Sequence, residues 1–164
     1  MLDEATSINL DEHLARGGPA AQSFARLWRQ LWAQDHIPPE LLELCRLTFA
    51  RLHGDEVEMR TVNTFIENGG PKAALRQLVR DDRALYDPTL PAGWRPVLLF
   101  AEYYWTDAQS IPDDVADAVK DHHGEAGLVL LIEALGCIDG RIRSARCLRD
   151  LSDFRAAQEF AHVE

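Results

Sequence analysis

A chain of 164 residues, 46% hydrophobic, with a net charge of −10, is long enough to bury a core and too apolar to be a disordered acidic tail. Its 17 Lys and Arg are scattered without a basic block, which argues against nucleic acid and against anionic membranes as partners. The acidic start carries no signal-peptide pattern, and the longest apolar run, residues 127–138, is interrupted by Glu133 and too short to span a bilayer. Cys45, Cys137 and Cys147 have no CxxC spacing, so neither a disulfide framework nor a zinc site is expected, and the expected location is the reducing cytoplasm.

In chain order, a short helix is expected over residues 8–15, ended by Gly17-Gly18. Pro19 suits the first turn of a helix to about residue 34, with Phe24, Leu27, Trp28 and Leu31 at helical spacing. After the break at 36–39, a helix to about residue 53 places Leu41, Leu44, Cys45, Thr48 and Leu52 on one face. Gly54 stops it, and Asp55 opens a helix expected to run to Ile66, with Met59, Val62, Phe65 and Ile66 as its inner face and Asn68-Gly69-Gly70 as its stop. Pro71 opens the next helix, through Leu75 and Val79. A loop at 87–93 precedes a largely buried helix over 94–105 with an aromatic end. A helix from 111 stops at His122-His123-Gly124, and a long one runs from 125 to about 149, with Leu128, Leu131, Leu135, Ile138 and Ile142 as its seam. A tail helix over 153–162 completes the chain. No stretch alternates with period two, so the fold class is all-α, with about seven or eight helices.

The chemistry concentrates where the helices around Gly54 meet. Glu43 shares a helical stripe with Leu47 and Ala50, and an acid among apolar residues suits general acid–base work near neutral pH. The plainer alternative pairs it with Arg46 at i+3. Asp55 and Glu58 have the spacing of an N-cap and its capping-box partner. The same helix end favours anions, so two carboxylates there also suit proton sharing or cation binding. With His53, the set Glu43, Asp55 and Glu58 offers a metal-binding alternative, although no HxxxH or ExxH pattern supports it. Tyr103, Tyr104 and Trp105 suit either an apolar pocket or plain core, and Arg141 suits either a buried ion pair or a substrate anchor. Cys45 falls on the Leu41/Leu44 face and reads as a small core residue.

Pro39-x-x-Leu42-Glu43-Leu44, Arg46-Leu47, Ala50-Arg51-Leu52-His53-Gly54, Phe100-Ala101-Glu102, Ile111-Pro112-Asp113-Asp114 and Asp139-Gly140-Arg141 occur in an order that resembles the AhpD-like, carboxymuconolactone decarboxylase-like family. The resemblance covers about residues 20–150, leaving 1–18 as an extension and 151–164 as a tail on a single AhpD-like helical domain. It implies that Glu43 stands at the acid of that family's proton relay, Asp55 and Glu58 at the two cysteines of its CxxC, Val62 at its relay histidine and His53 at its usual Asn. A thiol peroxidase cycle needs an attacking and a resolving thiol, and neither is present at those positions. The resemblance therefore implies a non-redox enzyme of lyase or decarboxylase type without a cofactor. In it Glu43, Glu58, Asp55 and His53 act on a small molecule held by Tyr103, Tyr104, Trp105 and Arg141. It also implies a homo-oligomer, trimer or hexamer. The alternative is an inactive oligomeric binding or structural protein on the same scaffold.

Overall fold

The computed structural model describes residues 9–67 and 70–161, with side chains described as far as Leu151. Every regular element among these residues is helical: α1 (Leu10–Ala15), α2 (Gly18–Ala33), α3 (Pro39–Leu52), α4 (Glu56–Arg60), α5 (Ala73–Arg80), a 3₁₀ turn (Ala84–Tyr86), α6 (Trp94–Asp107) and α7 (Asp113–Ala161). The all-α expectation therefore holds. Ile8, Asn68-Gly69 and His162, which the sequence reading used at helix ends, lie outside the described residues.

The core is organised around α3. Every residue from Leu41 to Ala50 is buried, because α3 touches α2, α4, α5, α6 and α7. A helix surrounded in this way buries its polar positions along with its apolar ones. The single apolar face expected from periodicity thus understates its burial. Four leucines of α3 are fully enclosed, each worth roughly 1.5–3 kcal/mol of transfer free energy. Of the expected α7 seam, Leu131, Leu135, Ile138 and Ile142 are buried and Leu128 is partly buried, and Val97, Leu98, Phe100 and Ala101 face inward from α6.

Two glycines set the chain path. Gly54 (φ +65°) follows α3 in the left-handed region. Its N–H donates to the Arg51 carbonyl at 2.9 Å, and the Asp55 N–H donates to the Ala50 carbonyl at 2.8 Å. These two bonds form a Schellman stop, and they deliver Asp55 directly to the start of α4. Gly124 (φ +74°, ψ 171°) breaks α7 at the expected point, so that two helical arms meet without a loop. That conformation is essentially glycine-only. Gly124→Ala is therefore expected to cost about 1–3 kcal/mol although open space surrounds the position, and chemical denaturation of the variant reads the loss.

The largest departure from the sequence reading is the helix expected over 55–66. α4 ends at Arg60, and Thr61 is extended (φ −63°, ψ 128°). Val62 and Phe65, expected to face inward, are 59% and 40% exposed, whereas Met59 and Ile66 are buried. The cause is visible at the helix end. The Arg46 guanidinium donates to the carbonyls of Glu58 and Thr61 at 2.9 and 3.0 Å, replacing the amides that a further helical turn would supply. The β-branched pair Thr61-Val62 offers little resistance to leaving the helix.

Candidate functional site

The four acid–base candidates fall into two arginine-held clusters and do not converge on one point. In the first, Glu43 is fully buried and meets Arg46 as a bidentate pair, Nε to Oε2 at 2.9 Å and Nη2 to Oε1 at 2.7 Å. Asn63 Nδ2 donates to Glu43 Oε2 at 3.0 Å, and Arg76 lies 3.7 Å from Oε1. Arg46 Nη1 also reaches Glu58 Oε2 at 3.2 Å. Together with the Glu58 and Thr61 carbonyls, these contacts satisfy all five donors of Arg46. Burial alone would pull the Arg46 pKa down, but Glu43 and Glu58 hold it above its ordinary value. The i+3 pairing of Glu43 with Arg46 is thus the arrangement present.

In the second cluster, Asp55 is the N-cap of α4 and accepts from the N–H groups of Val57 and Glu58, both at 3.1 Å. Arg149 of α7 donates to both carboxylate oxygens, with Nη1 to Oδ1 at 3.1 Å. Burial pushes this carboxyl up, but the Arg149 hydrogen bonds and the capped amides outweigh it and leave the pKa below the usual aspartate value. The capping box is half formed: Asp55 caps, while its own N–H is used by the α3 stop and Glu58 turns toward Arg46. His53 lies on the same side. Its Nε2 is 2.7 Å from Asp139 Oδ1, and Arg146 Nη1 approaches Nδ1 at 3.3 Å and donates to the His53 carbonyl at 3.0 Å. An arginine donor at Nδ1 places the ring proton on Nε2.

Each carboxylate of the metal alternative therefore faces guanidinium groups, and no cluster of three His, Cys, Asp or Glu suited to a metal ion occurs among the described residues. The aromatic trio is placed elsewhere too. Tyr104 stacks on Phe49 with ring centroids 6.3 Å apart, Trp105 meets the His53 ring edge-on at 5.8 Å, and Tyr103 is exposed. Burial in the core, and secondarily the charge of Glu43, push the Cys45 thiol pKa strongly up, and burial raises Cys137 to about 11. Neither is a thiolate nucleophile.

Glu58 and Arg141 do come together. Both line a cleft of about 230 Å³ enclosed by the start of α1, by α2, α4 and α7, and by the extended segment after α4. The Glu58 side chain is 18% exposed. Burial pushes its carboxyl above the ordinary glutamate value, Arg46 opposes that, and the charge on Asp55 adds to it. Arg141 lies over the Trp28 ring at 4.5 Å and donates through Nη2 to Asp11 Oδ1 at 3.0 Å. Its Nη1 is buried without an acceptor among the described residues. Val62 and Phe65, displaced from the core when α4 ends early, supply apolar wall to this cleft. The Tyr103–Trp105 segment does not line it.

The fold and this cleft define a protein all-helical among the described residues, with a polar, arginine-flanked cavity beside a buried ion-pair network. No protein-family model, no curated protein and no solved structure matches the chain. No helix among the described residues is long and apolar enough to cross a membrane.

Arg46, Arg149 and Asn63 escaped the sequence reading as site residues. The Arg46 spacing from Glu43 was a usable signal. Arg149 and Asn63 act across 94 and 20 positions, and no local pattern marks them.

Proposed function

We propose that this protein is a non-redox enzyme acting on a small organic acid in the Glu58–Arg141 cleft, by proton transfer of the lyase or decarboxylase type. The observation that carries the reading is the meeting of Glu58 and Arg141 in one cleft. Glu58 has a carboxyl raised by burial, and Arg141 has an unused buried donor. A carboxyl whose proton is held toward neutrality suits a general acid or base. A guanidinium stacked on Trp28 suits a planar carboxylate, and Val62 and Phe65 suit the apolar remainder of a ligand. In this reading Arg46 is a positioning residue that fixes the Glu58 side chain, while Glu43 and Asp55 hold the arginines that frame the cleft. Membership of the AhpD-like family, with carboxylates where that family has its thiols, rests on the ordered residue matches, as does assembly into a homo-oligomer.

A second reading has its own support. Glu43, Asp55 and His53 do not line the cleft, and each is engaged by an arginine, as expected of a scaffold kept for binding or structure. The two readings separate in one experiment. A panel of small carboxylic and keto acids is titrated into wild type, Arg141→Gln and Glu58→Gln by ligand-observed NMR, with turnover followed in the same tubes. The enzyme reading expects saturable binding that weakens about tenfold or more in Arg141→Gln, and turnover lost in Glu58→Gln with binding retained. Binding without turnover in wild type supports the second reading. Unchanged binding in Arg141→Gln contradicts the assignment of the anchor.

A further inference from the structure

We infer that a second cleft, between α4 and α5, is an anion site for a phosphoryl group. This cleft, of about 280 Å³, is lined by Arg60, Arg76 and Arg80, with Gln77 as the other polar side chain and no carboxylate. Such a lining is unusual in a chain whose 27 acidic residues outnumber its 17 basic ones. Leu47, Met59 and Ala73 form its apolar walls.

Each arginine has a different degree of commitment. Arg80 and Arg60 share Glu56, which sits outside the lining, with Arg60 at 3.8 Å. Arg76 is the important one. Among the described residues its one ion pair is with Glu43 at 3.7 Å, beyond hydrogen-bond distance. Glu43 already receives donors from Arg46 and Asn63. The side chain of Arg76 is about three-quarters buried and lines the cleft, and none of its nitrogens is both buried and unpartnered. Ala73, the first residue of α5, lines the same space. α5 has no side-chain cap and no acid in its first turn, so no side-chain charge offsets the positive end of its dipole.

Three arginines lining one cleft, with no carboxylate in the lining, match a dianion better than a single carboxylate. A phosphoryl group offers three acceptor oxygens and about two charges near neutral pH. The cleft is separate from the Glu58–Arg141 cleft, and this inference stands whether or not that cleft is catalytic.

The test is a titration of the full chain with inorganic phosphate and, separately, glycerol phosphate, followed by amide NMR shifts at constant ionic strength set with chloride. Saturable shifts are expected at residues 59–60 and 72–80. Arg76→Gln is expected to weaken binding about tenfold and Arg80→Gln several-fold, with Arg26→Gln on α2 unchanged. Glycerol phosphate binding more tightly than phosphate identifies a phosphate ester as the ligand class, and equal affinity identifies free phosphate. If neither probe gives a saturable shift beyond chloride, or if Arg76→Gln and Arg80→Gln both bind like wild type, the inference is overturned. Arg80 is partly exposed at the rim, so its variant remains informative even if Arg76→Gln folds poorly.

Discussion

Arg46→Ala is expected to destabilise the protein by about 4 kcal/mol, lowering Tm by roughly 8–16 °C. Arg46 is 3% exposed and Glu43 fully buried, so removing the guanidinium leaves a carboxylate in the core with Asn63 as its remaining direct hydrogen-bond donor. It also releases the Glu58 and Thr61 carbonyls that end α4. The loss comes from stranding groups that were desolvated on folding, and the net value of the intact pair is much smaller. Removing both charges separates the two quantities. Glu43→Leu combined with Arg46→Met is expected to be less destabilised than Arg46→Ala alone, because no buried charge is left over. Chemical denaturation of both variants and of Glu43→Leu provides the cycle. A double variant at least as unstable as Arg46→Ala would show that the ion pair itself, and not the stranded partner, carries the energy.

The second large effect is at Asp55. Asp55→Ala removes the cap of α4 and strands Arg149, which is 15% exposed, for an expected loss of about 3 kcal/mol. Its pH dependence has a definite sign. The folded-state pKa of Asp55 lies below its ordinary value of 3.8. Its contribution is therefore present above that value and is lost as pH falls through the lower, folded-state pKa. The stability gap between wild type and Asp55→Asn should then narrow in acid and stay level from pH 5 upward. Glu58 acts with the opposite sign. Its folded-state pKa is raised above 4.5, so its contribution is fully present below that value and declines as pH rises through the folded-state pKa. Guanidinium melts of wild type, Asp55→Asn and Glu58→Gln across pH 3 to 8 test both signs. A gap for Asp55→Asn that widens in acid would contradict the pairing with Arg149.

These contrasts show which parts of the molecule local sequence carries. The stop at His53-Gly54 and the cap at Asp55 were legible because a left-handed glycine followed by an Asx cap is encoded within four residues. The Glu43–Arg46 pair was legible as an i+3 spacing. The extent of α4 was not. Met59, Val62, Phe65 and Ile66 keep helical periodicity, yet the chain leaves the helix because Arg46, from the preceding helix, takes the terminal carbonyls. A side chain 15 positions away overrode a local pattern. The cleft depended on the same event, since Val62 and Phe65 reach it only because α4 is short. Arg141 and Arg149 reach it from α7, and sequence spacing carries no information about that approach. Fold class was readable because helical periodicity repeats along the whole chain, whereas the site arises where distant segments meet.

Glu58, alone among Glu43, Asp55 and Glu58, combines access to the cleft with a carboxyl raised by burial. A side-chain carboxyl NMR titration of the full chain, with Glu58 assigned by comparison with Glu58→Gln, tests this most directly. The expected result is a Glu58 titration clearly above 4.5. A Glu58 midpoint at or below 4.5 would show that Arg46 and its neighbours overcome burial, and it would remove the proton-transfer role from this site.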